Sequence, residues 1–260
     1  MNLAGRSVNC RYGPDNRAEI LRSRVETTAA LGEAIARAER PPALWVKAST
    51  ATIYRHAMDR PQTESTGELG AGFSVSVARA WEEALDAANT PSTRRVALRM
   101  AIVLGDGSAL RPLAALTRLG LGGPQCDGEW PVSRRRREAG TAHDPGSRGG
   151  DQRFSWVHLD DVVHVHHWLE AHPEIDGPVN VSSPYSETNR ELMAHLRRIL
   201  RVPIGIPLQR WMLELGTAVI RSETELVLKS RWVLPEKLQN AGFRFEHERL
   251  DAALASILNR

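Results

Sequence analysis

The chain alternates short apolar stretches with longer amphipathic ones, and this alternation restricts its fold more than any other feature. The stretch ALWVKAST at 43–50 is short, apolar and partly β-branched, which is typical of a buried parallel strand. A helical pattern follows from Phe73. Strand followed by helix recurs four times along the chain. Such repetition predicts an α/β fold with a parallel sheet and right-handed crossover helices.

The remaining predicted elements follow from the same periodicities. From Trp211 onward the pattern changes to short helical pieces and loops. The predicted strands cover 43–50, 94–105, 153–158 and 177–183, and the predicted helices cover 16–40, 73–88, 110–123, 159–172 and 187–200.

Composition is that of an ordinary globular protein. Hydrophobic residues make up 42% of the chain and charged residues 25%, with a net charge of +3. The apolar runs are too short for a membrane span, and the first residues lack a secretory pattern, so we expect a cytoplasmic protein. The two cysteines, Cys10 and Cys126, suit a reducing compartment and provide no metal-ligand set.

An arginine-rich stretch interrupts the α/β pattern at 126–150. It contains the block RRRR at 134–137 among glycines and prolines, without apolar periodicity. This composition favours a disordered surface insertion, with a phosphate-binding patch as the alternative. A nucleic-acid-binding module on the same block is disfavoured, because no aromatic residues interleave with the arginines.

Chemistry is expected where the predicted strands end. In open parallel sheets, ligands bind outside the carboxyl ends of the strands. Hydroxyl side chains cluster after one strand, at Ser49, Thr50 and Thr52, with Tyr54 close behind. They form either a hydroxyl-rich turn with satisfied backbone hydrogen bonds or part of a catalytic site. The other predicted strand ends are Ala4–Gly5, Leu104–Gly105, His158 and Ser182–Ser183.

A histidine-rich helix follows one of these strand ends. The stretch VHLDDVVHVHHW places His164 and His167 on one helix face, but a third ligand with suitable geometry is not evident. The pattern favours an ordinary helix with surface histidines, and we predict no metal site.

A series of motifs occurs in an order that resembles a known family. They include NLAG, STATIY, LRMAIVLG, RFSWVHLDDVV and GPVNVSSP. In this order the chain resembles the extended short-chain dehydrogenases/reductases, and more closely the sub-family labelled epimerase family protein, which has a small C-terminal domain of unknown function. The resemblance covers nearly the whole chain except 126–150.

The resemblance implies a partial Rossmann-type parallel sheet that lacks its first strands and its glycine-rich loop. In the family, NLAG ends the fourth strand of the sheet, so roughly 50 to 70 residues are expected before it, at about 30 residues per strand–helix–strand unit. We expect a partial NAD(P)-binding Rossmann-like domain at 1–125, the insertion at 126–150, a substrate-side α/β segment at 151–210 and a small, mostly helical C-terminal domain at 211–260.

The resemblance also implies an activity, that of an NAD(P)-dependent epimerase or oxidoreductase, impaired in this truncated form. Family members use a tyrosine base tuned by a lysine, with a Ser or Thr that orients the substrate oxygen. Thr50 matches the hydroxyl position, whereas Phe73 and Val77 stand at the tyrosine and lysine positions. The nearby replacements are Tyr54, Lys47 and His56. Tyr54 either packs in or caps the turn or serves as the base, and Lys47 lies on the strand three residues before Thr50. A non-catalytic protein that binds a dinucleotide or a partner is the alternative.

The remaining site residues are also carried over from the resemblance. The expected ligands are NADP or NAD and a small-molecule substrate such as a nucleotide sugar, and the missing strands would leave a sheet edge available for self-association. The candidates for cofactor binding are Asn2, Ala4, Gly5, Ser49 and Met100, and those for substrate binding are Trp156, His158, Asn180 and Ser183.

Overall fold

The structure is a computed structural model that describes residues 1–107, 110–143, 145–219 and 223–259. Asp144 in the predicted insertion and Ser222 in the predicted C-terminal domain lie outside these ranges. The strands are β1 Leu44–Thr50, β2 Arg94–Met100, β3 Ile102–Leu104, β4 Arg153–Phe154, β5 Trp156–His158, β6 Gly177–Val181 and β7 Glu187–Thr188.

Helices follow most strands, as the alternation predicts. A 3-10 turn at Ala51–Ile53 follows β1, and a π-helical turn at Thr117–Leu121 follows α3. The helices are α1 Pro14–Ala36, α2 Phe73–Asp86, α3 Leu110–Leu116, α4 Arg134–Glu138, α5 Leu159–Ala171, α6 Asn189–Ile199, α7 Arg210–Val219, α8 Glu225–Leu228, α9 Glu236–Asn240 and α10 Leu250–Leu258.

The main sheet is parallel, with strand order β1-β2-β6. Asn2 extends it beyond β1, because its backbone N–H donates to Val46 and its carbonyl accepts from Ala48, at 2.8 and 2.9 Å. Strands β3 and β5 form a separate parallel pair, and β4 and β7 an antiparallel one. Self-association through a sheet edge stays a prediction.

The single strand predicted at 94–105 is wrong in one respect, because it is broken at Ala101. The Ala101 N–H donates to Val181 of β6, whereas the Ile102 N–H donates to Ser155 beside β5. The chain therefore changes neighbours at this residue and leaves the main sheet.

Helices cover both faces of the main sheet. Ile35 and Leu85, from α1 and α2, pack against Trp45 and Ala97 on one face. On the other face, α5 packs on the valines and leucine of the three strands, in a cluster that includes Val46, Val96, Leu98, Val165, Leu169, Val179 and Val181. The predicted α/β fold with a Rossmann-like parallel sheet is thereby confirmed.

The C-terminal region is mostly helical and shares its apolar cores with the α/β part. Leu238 and Phe243 belong to the cluster under α5, and Leu254 of α10 packs with Leu192 and Leu196 of α6. No helix within the described ranges has both the length and the apolar character that crossing a bilayer requires.

Described residues of 126–150 contact distant parts of the chain, and the predicted disorder of this segment stays a prediction. Asp127 and His143 are buried and joined by a 2.9 Å contact. Arg210 of α7 donates to the same carboxylate at 2.9 Å. The Gly140 carbonyl accepts the N–H of Phe73 at the start of α2. These polar partners come from distant parts of the chain, which is why composition alone suggested a solvated loop.

Candidate functional site

A cavity of about 420 Å³ lies at the carboxyl ends of β1 and β2. Its walls come from these strand ends, from β3 and α3, from α6 and from the segment after α8. Lining residues include Val8, Asn9, Thr50, Thr52, Met100, Ala101, Ile102, Leu104, Leu110, Leu113, Gln125, Gln152, Arg153, Phe154, Asn189, Leu192, Val227, Lys229 and Arg231.

Two of the predicted site residues, Thr50 and Met100, line this cavity. They are register partners at the last positions of β1 and β2. The Thr50 hydroxyl accepts the Thr52 N–H at 3.1 Å and so begins the 3-10 turn. The strand end thus fixes the hydroxyl that the sequence predicted as catalytic.

Ser49, one residue earlier, faces the opposite side of the sheet. Alternate residues of a strand point to opposite faces. The Ser49 hydroxyl donates to Glu82 of α2 at 2.5 Å. A residue that lies beside the cavity in sequence is therefore turned toward the helix layer, and its predicted role in cofactor binding is untested.

Beneath α2, a row of polar side chains crosses the three strands. Ser49, Arg99 and Asn180 are neighbours in register on β1, β2 and β6. The Arg99 guanidinium donates to both carboxylate oxygens of Glu82, at 3.0 and 2.7 Å. Both side chains of this ion pair are about 90% buried, with exposures of 10% and 12%. Hydrogen bonds to Glu82 raise the pKa of Arg99 despite the opposing effect of burial.

Tyr54 completes this row and does not line the cavity. Its side chain is 2% exposed, and its hydroxyl donates to Asn180 Oδ1 and accepts from Arg99, both at 2.9 Å. Burial raises the pKa of Tyr54, against the lowering effect of Arg99. A phenol held in this way is a poor base. Its predicted catalytic role stays a prediction.

The predicted substrate-binding residues are buried, and none of them lines the cavity. Trp156 is fully buried in the core beside α6. His158 accepts the Asp160 N–H at 3.1 Å and caps α5. Asn180 donates from Nδ2 to the Leu234 carbonyl, and Ser183 donates its hydroxyl to the Glu248 carbonyl, at 3.0 and 2.7 Å. Their roles in binding substrate are untested.

The amino-terminal residues form a turn beside α1. The Ala4 N–H donates to Asn2 Oδ1 at 2.9 Å. Gly5 lies so close to Arg24 that a Cβ atom added at Gly5 would be 3.2 Å from that side chain. Packing alone thus gives one reason for glycine here, and the predicted cofactor contacts of the turn are untested.

Phe73 and Val77, which the resemblance predicts at the positions of a catalytic tyrosine and lysine, pack in one apolar cluster. The ring of Phe73 meets Tyr12 edge-on at 4.9 Å, and Val77 belongs to the same cluster. Burial raises the pKa of the Tyr12 hydroxyl to about 12. Lys47 points to the α2 side of β1, where its ammonium lies 4.3 Å from the Trp81 ring centroid. None of these four side chains, Phe73, Val77, Tyr12 and Lys47, lines the cavity.

The cationic part of the cavity was not predicted from the sequence. Lys229 and Arg231 are 7% and 6% exposed. The Lys229 ammonium donates to the Thr52 carbonyl at 2.8 Å, and Arg231 Nε donates to the Thr52 hydroxyl at 3.2 Å. Burial, assisted by the charge of Arg231, lowers the pKa of Lys229 to about 8. Only the fold brings these residues to the turn after β1.

One group of potential metal ligands was also missed, because its third member, His247, lies far in sequence from the other two. His158, Asp160 and His247 place ligand atoms within 4.8 Å of one another. The two imidazole rings stack at 3.8 Å, and His158 Nδ1 already accepts the helix N–H. Stacking and capping account for this arrangement.

The residues present match only one end of a nicotinamide dinucleotide. Thr50 and Met100, at adjoining strand ends, form a polar and apolar pair that would contact a nicotinamide ring bound at the strand ends. The pyrophosphate would need a glycine-rich turn at a helix N-terminus, and the sequence contains no Gly-x-Gly-x-x-Gly. The described site therefore fits the nicotinamide end of the cofactor and not its pyrophosphate.

Comparison with known proteins places this geometry in context. A family model described as a domain of unknown function, DUF1731, matches residues 210–257. Over 267 residues the chain is 31% identical to "Epimerase family protein SDR39U1" of Bos taurus, in an alignment that covers 99% of this chain and 81% of that protein.

Two solved structures show the same fold. The human epimerase family protein SDR39U1, solved with NADPH, has a TM-score of 0.83 and 27% identity, with coverage of 100% of this chain and 81% of that one. The UDP-glucose 4-epimerase of Thermotoga maritima, solved with UDP-glucose, has a TM-score of 0.67 and 14% identity, with coverage of 94% and 71%. At that identity, the second likeness concerns the fold alone.

Proposed function

Because this chain belongs to the family of epimerase family proteins, we propose that it binds NADP(H) or NAD(H) at the carboxyl ends of its parallel strands. We propose that it acts there as an epimerase or oxidoreductase on a small hydroxylated substrate. The observation that carries this proposal is the meeting of Thr50 and Met100 at one cavity. A related human protein was solved with NADPH, which supports this cofactor class.

In this proposal each side chain has a limited task. A bound nicotinamide would supply hydride transfer. Thr50 would hold the substrate oxygen through its hydroxyl, while the apolar walls formed by Ile102 and Leu113 exclude water. The Thr52 carbonyl holds the ammonium of Lys229 at the same turn. Its lowered pKa makes this lysine the cavity group best suited to exchange a proton near neutral pH.

The alternative is a protein that binds dinucleotide or partner without turnover. It is favoured by Phe73 and Val77, which provide no proton and no charge, and by the hydrogen bonds that occupy the Tyr54 hydroxyl. This alternative predicts dinucleotide binding with no hydride transfer.

Titration with NADPH and NADH tests the proposal. We expect saturable quenching of tryptophan fluorescence, and loss of nicotinamide absorbance when a suitable carbonyl compound is added. Thr50→Val should lower the rate by at least about tenfold if it removes one hydrogen bond made in the transition state. Thr66→Val, at an exposed threonine, is the matched control.

Each result discriminates. If neither dinucleotide binds, the proposed function is wrong. Binding without turnover for any carbonyl or hydroxyl compound would select the non-catalytic alternative. Equal rates for the two valine variants would remove Thr50 from the site.

A cytoplasmic location is a further part of the proposal. Both cysteines are free, which suits a reducing compartment. A nucleotide sugar as the substrate stays a prediction from the sequence.

A further inference from the structure

We propose that the cavity recognises an oxyanion attached to a compact apolar body, such as a small hydroxy or keto acid or an alkyl phosphate. This inference rests on the proposed function, since it names the substrate class of the same site. It identifies Lys229 and Arg231 as the residues that select the substrate by charge.

The charged side chains that line the cavity are cationic. Arg153, Lys229 and Arg231 line the cavity, and among its described lining residues there is no aspartate or glutamate. The acidic group that pairs with Lys229 is Glu225, whose carboxylate lies 3.9 Å from the ammonium and also accepts the Ser74 hydroxyl. The charge of Arg231 contributes to the lowered pKa of Lys229, so the two cations repel each other, and an oxyanion bound between them would relieve that repulsion.

The two cations are fixed by backbone pairing, so they are organised before a ligand arrives. The Arg231 N–H donates to the Arg153 carbonyl and its own carbonyl accepts from Ser155, at 2.9 and 3.0 Å. Because alternate residues of an extended segment face the same side, Lys229 and Arg231 both reach the cavity. Both donate to Thr52, two residues after Thr50. An oxyanion held by them would place the adjoining carbon atoms near the Thr50 hydroxyl.

The rest of the wall favours an apolar body over a sugar. The polar amides at the cavity are largely engaged with one another: Asn189 Nδ2 donates to Gln125 Oε1 at 2.7 Å, and Gln152 Nε2 donates to the Gln125 carbonyl at 2.8 Å. Sugar hydroxyls buried against such a surface would lack partners, which is unfavourable. The remaining wall is aliphatic or aromatic, with Ile102, Leu104, Leu110, Leu113, Phe154 and Leu192.

Protonation adds an independent readout. Burial lowers the pKa of Lys229 to about 8, and a bound anion would raise it again. Anion binding is therefore accompanied by proton uptake near pH 8. The affinity should fall as the pH rises above about 8, because the ammonium of the free protein is then lost.

Calorimetry with simple probes tests the inference. We expect octanoate or octyl phosphate to bind at least tenfold more tightly than octanol or octylammonium, and more tightly than UDP-glucose. Binding of one acid and not the other would identify the oxyanion as carboxylate or phosphate. Equal binding of octanol would leave only an apolar cavity and overturn the inference, as would preferential binding of UDP-glucose.

Charge-removing variants locate the oxyanion site. Lys229→Gln and Arg231→Gln should each weaken binding of the preferred acid at least tenfold. Arg40→Gln removes an equal charge from an exposed side chain and should leave it unchanged. Arg231→Lys should restore part of the loss. If the glutamine variants bind the acid as well as wild type, the assignment is wrong.

Failure of the inference and failure of the proposed function are distinguishable. Parallel titration of the wild-type protein and the same variants with NADPH reports on the cofactor alone. Dinucleotide binding without acid binding would overturn only the oxyanion site, and acid binding without dinucleotide binding would overturn only the proposed function. Should a glutamine variant fail to fold, the fall in wild-type affinity above pH 8 still decides.

Discussion

At the scale of single residues, the face of the sheet to which a strand-end side chain points decides whether it reaches the cavity. Thr50 and Ser49 carry the same kind of hydroxyl, yet one lines the cavity and the other bonds to Glu82. From the sequence, both were candidate site residues, because strand ends can be located but strand faces near the ends cannot when both faces are covered by helices. The same uncertainty led to the choice of Tyr54.

Tyr54→Phe should affect stability more than binding or turnover. The change leaves Asn180 Oδ1 and one Arg99 N–H without their buried partner. We expect the free energy of unfolding, measured in urea, to fall by about 1–3 kcal/mol, the usual cost of unsatisfied buried groups. NADPH affinity and any hydride-transfer rate should stay within about twofold of wild type, a difference of under about 0.5 kcal/mol.

The matched control is Tyr185→Phe, because the Tyr185 side chain is 59% exposed. It should leave stability nearly unchanged. A Tyr54→Phe protein with normal stability and a hundredfold slower hydride transfer would instead establish Tyr54 as a catalytic base.

Lys47 should make stability depend on pH. Burial lowers the pKa of the Lys47 ammonium from its ordinary value of 10.5 to about 7. Above pH 7 the unfolded chain thus holds a proton that the folded protein has released, so stability rises with pH from about 7 toward 10.5. Urea unfolding should show a gain of up to about 1.4 kcal/mol between pH 7 and 8, and Lys47→Met should abolish it.

Lys229→Met is the matched control for this prediction. The pKa of Lys229 is lowered only to about 8. Lys229 therefore contributes to the increase of stability with pH mainly above pH 8. This variant should keep the gain between pH 7 and 8. If the stability of Lys47→Met still rises between pH 7 and 8 as in wild type, the lowered pKa of Lys47 is contradicted.

At the scale of elements, the sequence predicted most helices and strands but not their neighbours. Apolar periodicity located β1, α2, α5 and α6 within a few residues. It missed the break at Ala101, because the stretch on both sides is equally apolar and only the change of hydrogen-bond partner marks it. It also missed Lys229 and Arg231, which are 177 and 179 residues from their partner Thr52.

The start of α6 shows how local chemistry fixes an element. Thr188 and Glu191 form a capping box, in which the Thr188 hydroxyl accepts the Glu191 N–H at 3.2 Å and the Glu191 carboxylate accepts the Thr188 N–H at 2.6 Å. This helix places Asn189 and Leu192 in the cavity wall. The cap therefore contributes to the shape of the site as well as to the helix.

Thr188→Ala should destabilise the protein by about 1 kcal/mol, the typical value for loss of an N-cap. Thr188→Ser keeps the hydroxyl and should stay close to wild type. Thermal unfolding followed by circular dichroism measures both. Identical melting temperatures for the alanine and serine variants would show that the capping box contributes nothing.

At the scale of the whole molecule, the C-terminal region and the α/β part share their cores. Leu254 of α10 is fully buried with Leu192 and Leu196 of α6, while Phe243 packs in the cluster of the main sheet. The cation pair at Lys229 and Arg231 also joins the two parts. We therefore expect them to unfold together, and the site to exist only while both are folded.

Leu254→Ala tests this expectation. Truncation of this buried side chain should lower the free energy of unfolding by about 3 kcal/mol, within the range for buried leucines. Leu215→Ala, at a 55% exposed leucine of α7, should change stability by less than about 0.5 kcal/mol. In urea, tryptophan fluorescence and far-ultraviolet circular dichroism should shift together as one transition.

If the C-terminal region were an independent unit, Leu254→Ala would instead split the curve into an early step and an unshifted late one. The late step would then retain the main sheet without Lys229 and Arg231 at the cavity, and the NADPH and oxyanion titrations would separate at the same urea concentration.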